Sequence, residues 1–182
     1  FSEILTRVDE TNTLMNSFCG SNSSEKGKLG EISFKNLLDR DFIDYQVLDM
    51  HKIPDSGDFI CTHRVSKMEI MFDVKNYTDT VRGKEITKLK KDIDNLLDKG
   101  HKLCVSVLVS LNTGISTVDN ISIKLYRNVI ILCLPHFFKN SYLIFWYSLI
   151  NNLSLMANNP ESLDKKESAT ILMQKFSLVQ KE

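Results

Sequence analysis

Glycine, proline and cysteine are scarce in this sequence, and their scarcity narrows the possible folds and functions. There are 7 glycines, 3 prolines and 4 cysteines among 182 residues. No two cysteines form a CxxC pair, so a zinc site or a disulfide framework is not expected. No glycine-rich phosphate loop follows a strand-like run, which argues against the common nucleotide-binding folds. Cys61, Cys104 and Cys133 lie in apolar runs typical of free core cysteines, so we expect a reducing, intracellular compartment.

Net charge and a long apolar run are also missing. The 23 basic residues equal the 23 acidic residues in number, which argues against a domain that holds nucleic acid by bulk electrostatics alone. The longest candidate membrane stretch, 142–150, is far shorter than the roughly 20 residues of a spanning helix, so no membrane partner is expected. The chain begins at Phe1 rather than at methionine, from which we expect a segment of a longer protein.

Hydrophobic periodicity predicts one α/β domain with helical additions. The order of elements predicts a core over 21–157, an N-terminal helical extension over 1–20 and a C-terminal one over 158–182. Helices are predicted over about 25–40, 82–99 and 137–156, and strands over 45–52, 58–63, 69–76, 103–111, 121–126 and 129–134. Gly100 stands where a C-terminal glycine cap is expected.

Two of the predicted strands form a hairpin that carries charged side chains at its open end. Antiparallel pairing around a turn near residues 64–67 places Asp58 opposite about Asp73 or Val74. Asp73 and Lys75 are two residues apart and therefore share a face of the strand. Carboxylates are ligands for Mg²⁺, and a neighbouring lysine can orient the attacking water. We therefore expect Asp58, Asp73 and the Val74 carbonyl to hold Mg²⁺ (or Mn²⁺), with Lys75 serving the nucleophile.

Glu31 is the further acid that helical spacing assigns to this site. It precedes Phe34 by three residues and Leu38 by seven, so it shares the inward-facing stripe of its helix. Gly27 and Gly30 flank it and are predicted to leave the backbone open to a phosphate.

The helix with Glu31, the strands with Gly57-Asp58 and Asp73-Val74-Lys75, and the helix and strand that follow resemble the PD-(D/E)XK nuclease superfamily. That superfamily includes restriction endonucleases, Holliday-junction resolvases and phage exonucleases. The resemblance covers about 25–111 and implies catalytic roles for Asp58, Asp73, Lys75 and Glu31. It also implies a restriction-endonuclease-like αβββαβ core, a mixed central sheet flanked by helices, with extra helices at both termini.

The chain departs from the family pattern at one point. The literal Pro54-Asp55 pair lies three residues before Asp58, so Asp55 stays open as the alternative ligand. The segments 73–81 and 109–115 are similar to segments of uncharacterised nuclease-like proteins of large DNA viruses. This similarity implies a location in the nucleus or cytoplasm of a host cell.

Basic residues near the motif are the predicted contacts to nucleic acid: Lys28, Arg82, Lys84 and Lys88. The alternative is a solvated helix face on which Lys88 pairs with Asp92. For Asp73 and Lys75 the alternative is an ordinary ion pair at a strand end.

The sequence as a whole predicts a Mg²⁺-dependent deoxyribonuclease whose partner is DNA. The competing hypothesis is a non-cleaving module that binds nucleic acid or a protein within a larger protein. A homodimer through the terminal helices or the aromatic helix is also possible on this sequence.

Overall fold

The computed structural model describes residues 23–139 and 146–158, with side chains from 26 to 139 and from 146 to 155. The described elements, in chain order, are α1 (Ser23–Asp41), β1 (Tyr45–Asp49), β2 (Phe59–His63), β3 (Glu69–Lys75), α2 (Gly83–Asp98), β4 (Leu103–Ser110), β5 (Ser122–Tyr126), β6 (Val129–Leu134) and α3 (Trp146–Asn158).

The strands form one mixed six-stranded sheet in the order β1-β2-β3-β4-β6-β5. β1, β2 and β3 make an antiparallel meander, whereas β3, β4 and β6 run parallel, and β5 returns antiparallel to β6. β4 lies at the centre and is buried along its whole length, as its valine- and leucine-rich sequence predicts. The α/β class with a mixed sheet is therefore confirmed, while the restriction-endonuclease-like fold stays a prediction.

The two faces of the sheet are covered by different helices. On one face, Phe34 and Leu38 of α1 and Trp146 of α3 pack in the same cluster as Phe72 of β3. On the opposite face, α2 packs its apolar stripe in the same cluster as Met71, the residue before Phe72. Neighbouring residues of β3 thus point to opposite layers, as the period of two along a strand requires. Asp73 and Lys75 share the parity of Met71 and so belong to the α2 face.

The ends of most elements agree with the sequence predictions to within about three residues. Gly100 has a φ of 86°, and its N–H donates to the Leu97 carbonyl while that of His101 donates to Leu96. This is the paired hydrogen bonding of a glycine-capped helix end, as predicted. β1 ends at Asp49 rather than at Lys52, because the chain turns after Met50, where the Ile53 N–H donates to the Met50 carbonyl.

The aromatic helix is the main correction. The prediction that it begins at Phe137 is wrong, since residues 135–139 form turns and the Phe137 N–H donates to the Ser110 carbonyl. Within the described residues, helix α3 begins at Trp146. Its buried side chains face the sheet core, as aromatic helices usually do. The predicted N-terminal extension 1–20 lies outside the described residues, as does the predicted C-terminal extension 158–182 apart from residue 158.

Two further findings concern the cysteines and the apolar character of the helices. Cys61, Cys104 and Cys133 are free and buried, as their apolar sequence context predicts. Among the helices of the described residues, none combines the length and the apolar character that crossing a membrane demands.

Candidate functional site

The open end of the β2–β3 hairpin is fixed by an unusual backbone at Gly57. This glycine has a φ of 70°, and a Cβ there would lie 2.8 Å from the Met71 Cγ and 3.0 Å from the Phe72 carbonyl oxygen. Only glycine fits such a position without strain. The next residue then enters the sheet, with the Asp58 N–H donating to the Phe72 carbonyl at 2.9 Å. The close approach at Gly57 thus sets the position of Asp58.

Asp58 lies across the hairpin from the Asp73–Lys75 segment, as the sequence predicts. Phe59 pairs with Phe72, so the same register continued by one residue puts Asp58 opposite Asp73. Its Oδ2 accepts a hydrogen bond of 2.6 Å from the Val74 N–H. The Val74 side chain meanwhile packs in the α1 and α3 core. One carboxylate oxygen is therefore held by the backbone, and its partner oxygen faces the rest of the site.

Asp73 and Lys75 form a buried ion pair on the α2 face. The Lys75 Nζ lies 2.7 Å from the Asp73 Oδ1, and the two side chains are 9% and 0% exposed. The Asp73 Oδ2 is also buried and has no hydrogen-bond partner among the described residues. Burial opposes the charged form of Lys75, but the Asp73 and Asp58 carboxylates outweigh it and raise the pKa of that ammonium. Lys75 is therefore a positive charge at neutral pH.

A second group of side chains lies beside this pair. Glu31 of α1, His51 of the β1–β2 loop and Asp58 each offer one ligand atom, and these atoms all lie within 4.8 Å of one another. The His51 Nε2 is 2.9 Å from the Glu31 Oε2 and 3.9 Å from the Asp58 Oδ1. Helix α1 and the β1–β2 connection thus meet at one corner of the sheet, and their donor atoms suit a bound cation.

Burial and like charge both act on Asp58. Desolvation first, and then the charge of Asp73, raise the pKa of the Asp58 carboxyl to about 6, although Lys75 and the Val74 amide act in the opposite direction. A divalent cation would remove this conflict, because it would compensate both carboxylates at once. The unpartnered Asp73 Oδ2 points to the same conclusion.

Helix α2 contributes two more acids under the sheet. The Glu85 Oε2 lies 4.0 Å from the Lys75 Nζ, and its side chain is 10% exposed. Asp92 is completely buried, and neither of its carboxylate oxygens has a hydrogen-bond partner among the residues described. Burial, with smaller contributions from Asp73 and Asp55, raises the pKa of Asp92 to about 6, and the positive charge of Lys88 only partly offsets this.

The predicted phosphate contacts differ in their distance from this centre. Lys88 is 48% exposed, and its Nζ lies 4.0 Å from the Asp73 Oδ1. Lys28, Arg82 and Lys84 are exposed and make no ion pair within the described part of the chain. The alternative of a solvated Lys88–Asp92 pair is wrong, because Asp92 is buried and Lys88 reaches towards Asp73 instead.

Asp55 lies apart from the carboxylate group. It has a φ of 54° in the loop before Asp58, and its Oδ2 is 3.1 Å from the Lys91 Nζ at the surface. The donor group at the corner of the sheet contains Asp58 and does not contain Asp55. Of the two carboxylates that the sequence left open, Asp58 is therefore the one that the structure brings next to Glu31.

Gly30 has a packing role rather than the predicted phosphate role. A Cβ at Gly30 would lie 2.7 Å from the Asn76 Cβ and 2.9 Å from the Leu111 Cδ1, so this side of the glycine is filled. The Asn76 side chain also donates a hydrogen bond of 2.6 Å to the Lys26 carbonyl. Gly30 thus lets α1 approach the end of β3 closely, which positions Glu31. Gly27, in contrast, has open space around it.

Sequence reasoning missed His51, Glu85 and Asp92. The four histidines share no spacing that would identify His51 as a ligand. Its signal was its position: Asp49 pairs with Phe59, so the residues just after β1 reach the same sheet end as Asp58. Glu85 and Asp92 lie on the inward side of α2, three or four residues from Leu89. Acids at such positions of an amphipathic helix are candidates for a site.

The chain matches no protein-family model, no curated protein and no solved structure. The PD-(D/E)XK resemblance therefore depends on the residues described above.

Proposed function

We propose that this chain is a metal-dependent deoxyribonuclease that hydrolyses phosphodiester bonds. The observation that carries the proposal is the convergence of Asp58, Asp73 and Lys75 at the open end of the β2–β3 hairpin. Lys75 contacts Asp73 at 2.7 Å, and the Val74 amide between them holds Asp58 at 2.6 Å. Unpaired buried charges cost several kcal/mol, so an acid-rich site of this kind is unusual without a functional reason.

The residues present fit a divalent cation. Asp73 has an unpartnered buried oxygen, and burial, followed by the negative charge of Asp73, raises the pKa of Asp58 to about 6. Asp58, Asp73, Glu31 and the Val74 carbonyl would hold the ion. When bound, Mg²⁺ or Mn²⁺ supplies charge that polarises the phosphate and lowers the pKa of a bound water.

Lys75 has the role of a fixed hydrogen-bond donor. Its pKa is raised, so at neutral pH the ammonium has no lone pair with which to accept a proton from water. It can donate hydrogen bonds to the attacking water and to the phosphoryl oxygens, where negative charge develops in the transition state. Burial of the side chain makes this charge more effective than it would be in bulk water.

DNA would contact the site through local basic side chains, since the net charge of the chain is zero. Lys88 lies nearest to Asp73, and Lys28, Arg82 and Lys84 are exposed on α1 and at the start of α2. Each phosphate contact of this kind strengthens binding in a salt-dependent way. An intracellular location is part of the proposal, because free buried cysteines are typical of a reducing compartment.

A non-cleaving module that binds nucleic acid or a protein partner is the competing function. One observation favours it: the Lys75 ammonium compensates the charge on the Oδ1 of Asp73 at 2.7 Å. On this alternative the pair is an ordinary strand-end ion pair. A homodimer through the terminal helices or α3 is compatible with either function.

The test is cleavage of plasmid, linear and single-stranded DNA with Mn²⁺, with Mg²⁺ and with EDTA. We expect Asp73→Asn to lower the cleavage rate by about 10²- to 10⁴-fold, because it removes a carboxylate that would hold the divalent cation at the reacting centre. Glu69→Gln is the matched control, since Glu69 is the acid at the other end of the same strand. Circular dichroism checks that each variant is folded.

Cleavage by Asp73→Asn at the wild-type rate would contradict the proposal. So would a folded wild-type protein that cuts none of the three substrates with either metal, which would favour the non-cleaving module.

A further inference from the structure

His51 is held by carboxylates on both of its ring nitrogens. The Nδ1 lies 2.6 Å from the Asp49 Oδ1, and that same oxygen accepts a hydrogen bond of 3.0 Å from the His51 backbone N–H. The Nε2 faces the Glu31 Oε2 at 2.9 Å and the Asp58 Oδ1 at 3.9 Å. Asp49 therefore fixes the plane of the ring, and the Nε2 is directed towards the two acids that belong to the candidate site.

This arrangement has the form of a ligand and its supporting shell. Histidines that bind metal usually donate the other ring N–H to a carboxylate, which sets the tautomer and the ring orientation. Asp49 supplies such a carboxylate at Nδ1. Glu31, His51 and Asp58 then present one oxygen, one nitrogen and one oxygen, all within 4.8 Å of one another. An ion pair alone would not need the second carboxylate behind the ring.

The carboxylates at this end of the sheet outnumber the positively charged side chains that contact them. Five carboxylates are linked by contacts of 4.0 Å or less to two lysines and one imidazole, which leaves a net charge of at least −2 even with His51 protonated. These residues are Glu31, Asp49, Asp58, Asp73 and Glu85, against Lys75, Lys88 and His51. In addition, the buried Asp73 Oδ2 has no partner within the described chain. A dication is the group that balances this excess.

The donor set also distinguishes between dications. Mg²⁺ prefers oxygen ligands and water, whereas imidazole suits the first-row transition metals. A site made of carboxylates alone would suit Mg²⁺. The nitrogen of His51 shifts the preference from Mg²⁺ towards first-row transition metals.

We propose that Glu31, His51 and Asp58 bind a first-row transition-metal dication, with Asp49 orienting the imidazole, and that His51 makes the site select Mn²⁺ over Mg²⁺. The proposal rests on the proposed function only where it identifies this ion as the one used in hydrolysis. Binding itself is measured without nucleic acid.

The experiment uses Mn²⁺ as the probe on the whole 182-residue chain. Titration calorimetry and the electron paramagnetic resonance signal of free Mn²⁺ give the affinity, and a parallel titration with Mg²⁺ gives the selectivity. We expect wild type to bind Mn²⁺ at least 10-fold more tightly than Mg²⁺, and pulsed resonance spectra to show coupling to an imidazole nitrogen.

His51→Gln exchanges the nitrogen donor for an oxygen donor. We expect the nitrogen coupling to vanish and the Mn²⁺ affinity to fall by about 10- to 100-fold, with little change for Mg²⁺. Asp49→Asn should weaken Mn²⁺ binding by about 10-fold while the nitrogen coupling persists. His101→Gln is the same substitution at a histidine beside the other end of β3. It should change neither the Mn²⁺ affinity nor the nitrogen coupling. Thermal unfolding in EDTA checks that each variant is folded.

Two outcomes would overturn the inference: Mn²⁺ bound by wild type without nitrogen coupling, or equal Mn²⁺ affinity in wild type and His51→Gln. Failure of the proposed function looks different. A protein that binds Mn²⁺ through His51 but cuts no DNA supports the inference and contradicts the nuclease. A protein that cuts DNA equally well with both metals and shows no nitrogen coupling supports the nuclease and contradicts the inference about His51.

Discussion

At each end of strand β3 a histidine from another part of the chain lies beside carboxylates, but the two ends differ in how their charges are satisfied. At the start of the strand, the Glu69 Oε2 lies 2.9 Å from the His101 Nδ1 and accepts a hydrogen bond of 3.0 Å from the Lys102 N–H. One acid, one imidazole and one amide form a closed group next to the hairpin turn.

The other end of β3 has more acids than partners. Asp73 keeps an unpartnered buried oxygen, and the pKa values of Asp58 and Asp92 are both raised to about 6 by burial. Within the described chain, the other end of the same strand has no excess of acids, so the fold by itself does not require an excess of acids beside β3. A cluster of buried acids that lowers the stability of the folded chain is a candidate for a functional site.

The largest expected difference between the two ends is in the buried ion pair. In EDTA, Lys75→Met should lower the free energy of unfolding by about 3 to 5 kcal/mol, because Asp73 is left buried without its cation. His101→Gln at the closed end should cost no more than about 1 kcal/mol, since its imidazole is 30% exposed. Urea unfolding measures both.

The double variant Lys75→Met with Asp73→Asn sharpens this result. It should recover part of the loss, because the uncompensated charge is removed. Equal losses for Lys75→Met and His101→Gln would remove the distinction between the ends.

The backbone at the open end should show the next largest effect. Gly57→Ala forces a Cβ to within 2.8 Å of the Met71 Cγ at a φ of 70°, so we expect a loss of about 1 to 3 kcal/mol in urea unfolding. Gly27→Ala is the matched control: it lies within α1 with open space around it and should gain up to about 1 kcal/mol. A loss at Gly27 that equals the loss at Gly57 would contradict this explanation.

The last effect concerns the pH dependence of stability. The pKa of Asp92 rises from an ordinary 3.8 to about 6 on folding, so its contribution to stability is present below pH 4 and is lost as the pH rises through 6. Asp92→Asn should therefore be more stable than wild type at pH 8, by up to about 3 kcal/mol, and close to wild type at pH 4.

Chemical unfolding in EDTA at several pH values between 4 and 8 measures this difference. Glu69→Gln is the control, because that acid is already satisfied by His101 and the Lys102 amide. If the difference between Asp92→Asn and wild type does not change with pH, burial of this carboxylate has no energetic consequence.

Much of the fold could be predicted because its signals are local. Alternation predicted the β2–β3 hairpin, and its register follows from the turn at 64–67, so the position of Asp58 relative to Asp73 needed only counting. The amphipathic stripe of α2 and the cap at Gly100 are equally local. The start of the aromatic helix was predicted wrongly because the apolar residues Phe137 and Phe138 continue the helical pattern, while the backbone there forms turns against the end of β4.

Neighbours along the chain specify which residues alternate, which helix faces are apolar and which charged side chains end the hairpin, so local sequence is enough to predict these features. The contact of His51 with Glu31 and the burial of Asp92 depend instead on packing between separate elements. Those contacts join a helix to a loop and a helix to the sheet beneath it. They are fixed by how α1 and α2 pack on the sheet, which no local pattern specifies.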